Sequence, residues 1–261
     1  MGLKMGLLAA QFLKGCPMPK WPKILPPLSP EDQRINDDFM EHWHDVFPNK
    51  YSMADSWSHR YPAKYRPARF LRTIEMGAGL GEHLKYEILT PEQEANYVAV
   101  EYRENMAKRL REACPKIQTC LGDCQTRLDF PDGHFDRVLA VHVLEHLPNL
   151  PAAIREMHRL CNKQTGVFSI VIPCEGSLAY SLAREISAKR IFQKRYKRPY
   201  HLFISREHIN LPWEVLGEIA PFFDMVHSSY FPIPLKFQFC NLFIGANFKP
   251  KALPDQRAIR D

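Results

Sequence analysis

No cysteine in this chain stands in a Cys-x-x-Cys pair, although there are seven of them. They are scattered (Cys16, Cys114, Cys120, Cys124, Cys161, Cys174, Cys240) and odd in number, and several fall in apolar stretches where a thiol behaves as a small hydrophobe. This argues against a zinc or disulfide framework and for a reducing compartment, and no metal ligand set is expected. Long apolar runs are missing as well, none approaching the ~20 residues of a membrane-spanning helix. Near the start, Gly6–Ala10 is apolar, but Gln11 and Lys14 interrupt it. Lys14 also stands where a lipoprotein cleavage box needs a small residue, so no signal peptide is expected. Nucleic-acid motifs are absent too. A net charge of +6 and a pI near 8.9 favour anionic partners without indicating DNA or RNA.

What is present suits one α/β domain with appendages: 261 residues, 45% hydrophobic and 25% charged. The six prolines of residues 17–30 make that segment extended. Ser29-Pro30-Glu31-Asp32 reads as a helix start, with a capping serine, an early proline and acids that complement the dipole. Ile35, Phe39, Trp43 and Val46 then fall on one helical stripe, with His42 and His44 at its edges. Residues 51–67 are aromatic, basic and interrupted by Pro62 and Pro67, and read as a linker or pocket-lining loop carrying Trp57, His59 and Tyr61. The expected division is a helical N-terminal extension over 1–69, a main domain over 70–250 and a tail over 251–261.

Within the main domain, strand and helix signals alternate five times. Arg72–Met76 is a buried strand ending in the turn Gly77-Ala78-Gly79-Leu80-Gly81, followed by a helix bearing Leu84 and Ile88. Tyr97–Glu101, Ile117–Leu121, Phe135–Val141 and Val167–Ile172 are further strands, with helices marked by Met106 and Leu110 and by Ile154, Met157 and Leu160. Short apolar runs separated by amphipathic helices imply a parallel sheet covered on both faces, with the ligand beyond the carboxyl ends of its strands. Residues 175–212 interrupt the alternation. Their stretch Arg184–Arg198 reads as a basic amphipathic helix, a lid on the acceptor side that could meet an anionic substrate or an acidic membrane surface. Met225–Phe231 and Phe239–Phe248 look like an antiparallel pair that closes the sheet.

The glycine-rich turn invites a nucleotide-like ligand, because glycine lets backbone approach closely. A phosphate-binding loop needs lysine and a hydroxyl residue after the last glycine, but Glu82 and His83 stand there. The dinucleotide fingerprint needs glycine at position 82. The spacing is instead Glu-x-Gly-x-Gly-x-Gly, with acids recurring at later strand ends, Glu101 and Asp123.

With Glu75–Gly81, Val98–Glu101, Gly122-Asp123 and the run from Phe135 through His142-Val143-Leu144-Glu145-His146-Leu147, the sequence over residues 70–175 resembles the class I S-adenosylmethionine-dependent methyltransferases, in particular the group acting on small molecules. The resemblance implies a doubly wound, mostly parallel seven-stranded sheet with an antiparallel last strand, the Rossmann-like methyltransferase fold. The N-terminal helical extension and the helical insertion after the fifth strand lie outside it. It implies S-adenosyl-L-methionine as cofactor, with Met76, Gly77, Ala78, Gly79 and Gly81 beneath its methionine and ribose and Glu75 facing its cationic end. Glu101 would bind the ribose hydroxyls, Tyr102 would flank the adenine, Asp123 would bind the adenine amino group beside Cys124, and His142 would line the methionine pocket. A histidine suits proton transfer near neutral pH. His201, in the segment that faces the acceptor in the family, is the first candidate, with His142 and His146 as rivals.

The expected reaction is methyl transfer to an oxygen or nitrogen of a small or lipid-linked acceptor, an anionic one being left open by the basic insertion. The expected setting is cytoplasmic, with membrane contact through the basic insertion left open. The competing readings are a domain that binds cofactor or a protein partner without catalysis, and an NAD-dependent oxidoreductase.

Overall fold

The computed structural model describes residues 21–25 and 27–252. The expectations for the apolar stretch and cysteine before residue 21, and for the tail from residue 253, lie outside the described residues. Helix α1 spans Pro30–Lys50 and opens as expected, with Ser29 Oγ accepting from the Asp32 amide at 3.1 Å. Helix α2 (Ser52–Lys64) replaces the expected loop. The heterogeneous composition of this stretch hid its helix, because the stabilisation is tertiary. Trp57 and Tyr61 pack onto the sheet with Val141, Val171 and Phe243, and Pro62 lies so near the end that its missing amide costs little helix.

The sheet begins with β1 (Thr73–Met76). The expected helix through Leu84 and Ile88 is instead a single 3₁₀ turn at His83–Tyr86 that leaves Ile88 exposed. Glu87 is extended because its carboxylate is drawn into the interior. Pro91 then keeps Thr90 extended as the cap of α3 (Pro91–Ala95). There follow β2 (Tyr97–Glu101), α4 (Glu104–Ala113), β3 (Gln118–Leu121), β4 (Arg137–Val141), α5 (Leu150–Leu160) and β5 (Val167–Pro173). Next come α6 (Leu178–Ile186), α7 (Ala188–Tyr196), α8 (His201–Glu207), α9 (Pro212–Ile219), β6 (Phe223–Phe231) and β7 (Phe243–Pro250). The single basic helix expected over 184–198 is thus two, broken at Ser187, whose hydroxyl turns back to the Ala183 carbonyl at 2.6 Å. The last strand starts at Phe243 rather than Phe239 because residues 238–240 form a 3₁₀ turn.

The strand order is β3-β2-β1-β4-β5-β7-β6, with β7 antiparallel to both its neighbours and the others parallel. This is the doubly wound architecture that the sequence implied. One face packs Ile74, Met76, Val138, Ala140 and Ile170 against Ile154 and Met157 of α5 and Val215 and Ile219 of α9. On the other face, Tyr97, Ala99 and Leu139 meet Leu110 of α4, and α2 covers the far side. A separate apolar cluster of Phe39, Phe192, Tyr200 and Phe203 joins α1, α7 and α8 into a cap with its own small core.

Charge is also buried under the sheet. Arg137, 1% exposed, donates to Glu87 at 2.6 Å and to the Pro62 carbonyl at 3.3 Å, and lies 4.5 Å from the Phe70 ring centroid. His83 lies between two acceptors, the His59 carbonyl at 2.6 Å and Glu87 at 2.8 Å, so both its nitrogens act as donors. Burial disfavours that charge, but the Glu87 hydrogen bond and the nearby carboxylates outweigh it and raise the imidazole above its ordinary range. Burial likewise opposes ionisation of Glu87, yet His83 and Arg137 hold it down at about 2. A carboxyl depressed in the folded state stabilises fully above its ordinary value of 4.5, and that stabilisation is lost as pH falls towards 2. Arg137→Met should destabilise the fold by about 3–5 kcal/mol, the cost of breaking a buried pair. It should also flatten the fall of stability between those two pH values, as checked by urea unfolding across an acid series.

Candidate active site

At the carboxyl edge of the sheet, Gly77, Gly79 and Gly81 all adopt positive φ (63°, 58° and 80°), the left-handed region in which a side chain is strained. A Cβ on Gly77 would come within 2.4 Å of Val143. The turn therefore packs directly against the segment that follows β4. The Gly79 amide donates to one Glu101 oxygen at 3.0 Å, and the Arg103 amide donates to the other at 2.9 Å. The buried Glu101 carboxylate is thus fixed at the end of β2, and each oxygen keeps capacity for a further hydrogen bond.

Beyond β3, Asp123 accepts from the Gln125 amide at 2.9 Å and from its side chain at 3.1 Å, and is half-buried. The side chains of Met76 and Cys124 belong to the main core, so only their backbones face this edge, and burial pushes the Cys124 thiol up to about 12. Tyr102 is 72% exposed beside Glu101. Glu75 points under the sheet, where it accepts from the Tyr97 hydroxyl at 2.6 Å, and burial pushes its carboxyl up.

After β4 the chain turns sharply at His142, a non-glycine residue with φ of 54°. Its ring meets Phe243 at 5.0 Å and His59 at 5.9 Å, and its buried Nε2 has no hydrogen-bond partner. His59, on α2, is held neutral at about 3, chiefly by burial and then by the charge of His142.

The next residues make a second constellation. Glu145 lies with its carboxylate 3.5 Å from His142 Nδ1 and 3.8 Å from His146 Nε2. Burial opposes its ionisation, but these histidines prevail and lower it. His146 faces Glu207 at 3.6 Å through Nδ1, and its ring lies edge-on to His208 at 5.1 Å. His208 Nδ1 contacts Glu175 at 2.9 Å, with the Tyr180 hydroxyl at 3.4 Å, and Arg184 pairs with the same Glu175.

The structure thus brings the three glycines, Glu101, His142 and His146 to one edge. It does not bring His201 there: that residue is exposed at the opposite end of α8 from Glu207 and His208. Glu175, Tyr180, Glu207 and His208 were not singled out from sequence. They come from the insertion, 29 to 62 residues after His146, and only the fold supplies their proximity. Two further cations of the insertion find acids: Arg195 contacts Asp38 at 3.0 Å and Arg198 contacts Glu31 at 2.6 Å, both on α1. A separate cavity of about 290 Å³, lined by Leu84, Cys114 and Ile117, lies at the amino edge of the sheet and contains none of these groups.

Residues 74–170 match the family model of a methyltransferase domain. No curated relative matches the sequence. Among solved structures, the chain is similar to a TehB-like S-adenosylmethionine-dependent methyltransferase from Corynebacterium glutamicum, with 13% identity, a TM-score of 0.56, and 84% of this chain and 100% of that one covered. It is similar to a Thermotoga maritima S-adenosylmethionine-dependent methyltransferase described as a possible histamine N-methyltransferase (20% identity, TM-score 0.51, 80% and 99% covered). A third is an S-adenosylmethionine-dependent methyltransferase from Mesorhizobium loti (16% identity, TM-score 0.52, 76% and 98% covered). At these identities the structural likeness bears on the fold.

Proposed function

Because residues 74–170 match the family model of a methyltransferase domain, we propose that the chain is a class I S-adenosylmethionine-dependent methyltransferase that methylates an oxygen or nitrogen of an acceptor held between His142 and the helices of the insertion. The observation that carries the placement is the Gly79 amide on the Glu101 carboxylate, 3.0 Å apart, which joins the glycine turn and the strand-end acid into one cradle. The residues fit the cofactor. Glu101 has free lone pairs for two ribose hydroxyls, Asp123 stands at the next strand end for the adenine amino group, and Tyr102 offers an exposed ring to the base. Glu75 is held by Tyr97 beneath the turn rather than projecting from it.

S-adenosylmethionine held by these residues would supply a sulfonium methyl group, whose carbon would bond to the acceptor's lone pair as the carbon–sulfur electrons stay with the departing thioether and the acceptor's proton leaves to a base or solvent. The chain's contribution is alignment and exclusion of water, which can supply about 7–11 kcal/mol in favourable cases. His142, strained and with its buried Nε2 unpartnered, accepts a hydrogen bond from the acceptor's O–H or N–H, and Phe243 closes the wall behind it.

A lipid-linked acceptor draws support from the outer face of the insertion. Leu178, Leu182 and Ile186 are exposed at four-residue spacing on α6, the nearby 232–242 segment exposes Phe237 and Phe239, and Arg190 and Lys194 are exposed on α7. An apolar stripe flanked by cations fits an anionic bilayer surface.

Three measurements test these readings. In calorimetry, S-adenosylmethionine should bind the wild type and bind Glu101→Ala at least about tenfold more weakly, the loss of a charge-assisted hydrogen bond. No binding, or preferential binding of NAD, would overturn the cofactor assignment. With labelled cofactor and metabolite extracts to identify the product, His142→Gln should cut turnover by about 10²-fold or more while His201→Ala retains most of it. The reverse order would return the acceptor-side role to His201. Leu182→Asp should reduce co-sedimentation with phosphatidylserine vesicles several-fold, and unchanged sedimentation would remove the membrane contact.

A further inference from the structure

The Glu145 side chain is only 2% exposed, yet neither carboxylate oxygen has a hydrogen-bond donor. A buried carboxylate left that way is costly and asks for a cation. The groups around it are arranged to supply one. One oxygen of Glu145 and one nitrogen each of His146 and His208 lie within 4.8 Å of one another. Donors held at ~2.0–2.2 Å by a zinc-sized ion stand up to about 4 Å apart, so only small side-chain shifts separate this cluster from a coordinating set.

Each imidazole has a carboxylate behind it. His208 Nδ1 rests on Glu175 at 2.9 Å, and His146 Nδ1 lies 3.6 Å from Glu207, which leaves the Nε2 atoms for the centre of the cluster. This is the outer-shell arrangement that fixes the tautomer and orientation of ligating histidines. The outer carboxylates are held in turn, Glu175 by Arg184 and Glu207 by the Asn36 side chain at 2.9 Å. The backbone fastens the two halves together. The Ile209 and Asn210 amides donate to the Glu145 carbonyl at 2.9 and 3.0 Å, and the Asn210 side chain donates to the Leu144 and Leu147 carbonyls at 2.7 and 2.8 Å.

We propose that Glu145, His146 and His208 bind one divalent first-row transition-metal ion, whose remaining positions take a hydroxyl oxygen of the methyl acceptor. Two imidazoles with one carboxylate suit ions from manganese to zinc, whereas calcium and magnesium prefer oxygen throughout. Three protein ligands leave positions open, as in sites that bind and acidify an oxygen. The acceptor oxygen would lose its proton to solvent on binding and face the methyl group as an alkoxide or phenoxide. This second half rests on the methyl-transfer reading above and narrows its acceptor from oxygen or nitrogen to oxygen. The ion itself does not rest on that reading.

The test uses the full chain, stripped of metal and titrated with Mn²⁺ or Zn²⁺ alone in a calorimeter. One ion per chain should bind, and Glu145→Gln and His208→Gln should each weaken it at least about tenfold while circular dichroism shows an intact fold. Pulsed electron paramagnetic resonance of the wild type with Mn²⁺ should show coupling to two imidazole nitrogens, a readout that needs no variant to fold. No stoichiometric binding, binding indifferent to both substitutions, or absence of imidazole coupling overturns the site. S-adenosylmethionine binding is measured on the same samples, so that failure of the ion with the cofactor still bound refutes the ion alone. Turnover by protein shown by elemental analysis to be metal-free should fall at least tenfold and return with Mn²⁺. Full turnover without metal would overturn the acceptor assignment.

Discussion

Arg137 is the fixed point of this molecule. A guanidinium at the start of a central strand, 1% exposed, has to be compensated where it stands, and the compensation recruits residues from well-separated parts of the chain. Glu87 must reach inward, which ends the turn after β1 as a single 3₁₀ turn. His83 must bridge to the carbonyl of His59, which fastens α2 to the underside of the sheet. Pro62, in the last turn of α2, gives its carbonyl to the same guanidinium. The glycine turn lies between β1 and this anchored segment, so its left-handed backbone is clamped at both ends. The candidate cradle of glycine turn and Glu101 thus rests on an ionic network that includes none of its own residues.

That dependence explains which parts of the molecule were legible from sequence. The five parallel strands β1 to β5 were read to within two residues, because a parallel sheet covered on both faces imposes continuous apolar runs, as in Val98–Val100 and Val138–Val141, whereas the last strand was begun four residues early, at Phe239. The placement of the glycines, Glu101 and Asp123 at the carboxyl edge of the sheet was legible as well, since positive-φ turns and strand-end acids leave their mark locally. Helix α2 was not, because Trp57, Tyr61 and Pro62 satisfy tertiary demands that no local periodicity records. Nor was the cluster around Glu145 and His146, of which only His146 was singled out, as a rival candidate for proton transfer. The neighbours His208, Glu175 and Glu207 lie on another part of the chain, and the hydrogen bonds of Asn210 and Ile209 help to tie the two together.

The cap illustrates how opposite charges can serve packing rather than recognition. Arg195 and Arg198 face Asp38 and Glu31 of α1 over the aromatic cluster of Phe39, Phe192 and Phe203. These exposed pairs add little energy individually, since water and salt screen them. Their effect is register: the acids of the first helix choose where the basic helices sit, and the aromatic contacts supply the adhesion. Arg184 is used differently, for it faces inward and holds Glu175 against His208.

The reversed direction of β7 has a consequence for how such a molecule can diversify. An antiparallel strand enters the sheet at the edge where its parallel neighbours leave it, so the segment 232–242 arrives beside the insertion after β5 and ends at Phe243 on the wall near His142. Two stretches, both outside the packed strands, therefore frame the edge at which the acceptor is proposed to sit. Residues 232–241 can change with the strand-pairing hydrogen bonds, which extend as far as Leu242, left in place, whereas the glycine turn is under steric restraint. On the proposed function, acceptor and cofactor would thus be recognised by separate pieces of chain, only one of them held to a fixed backbone course.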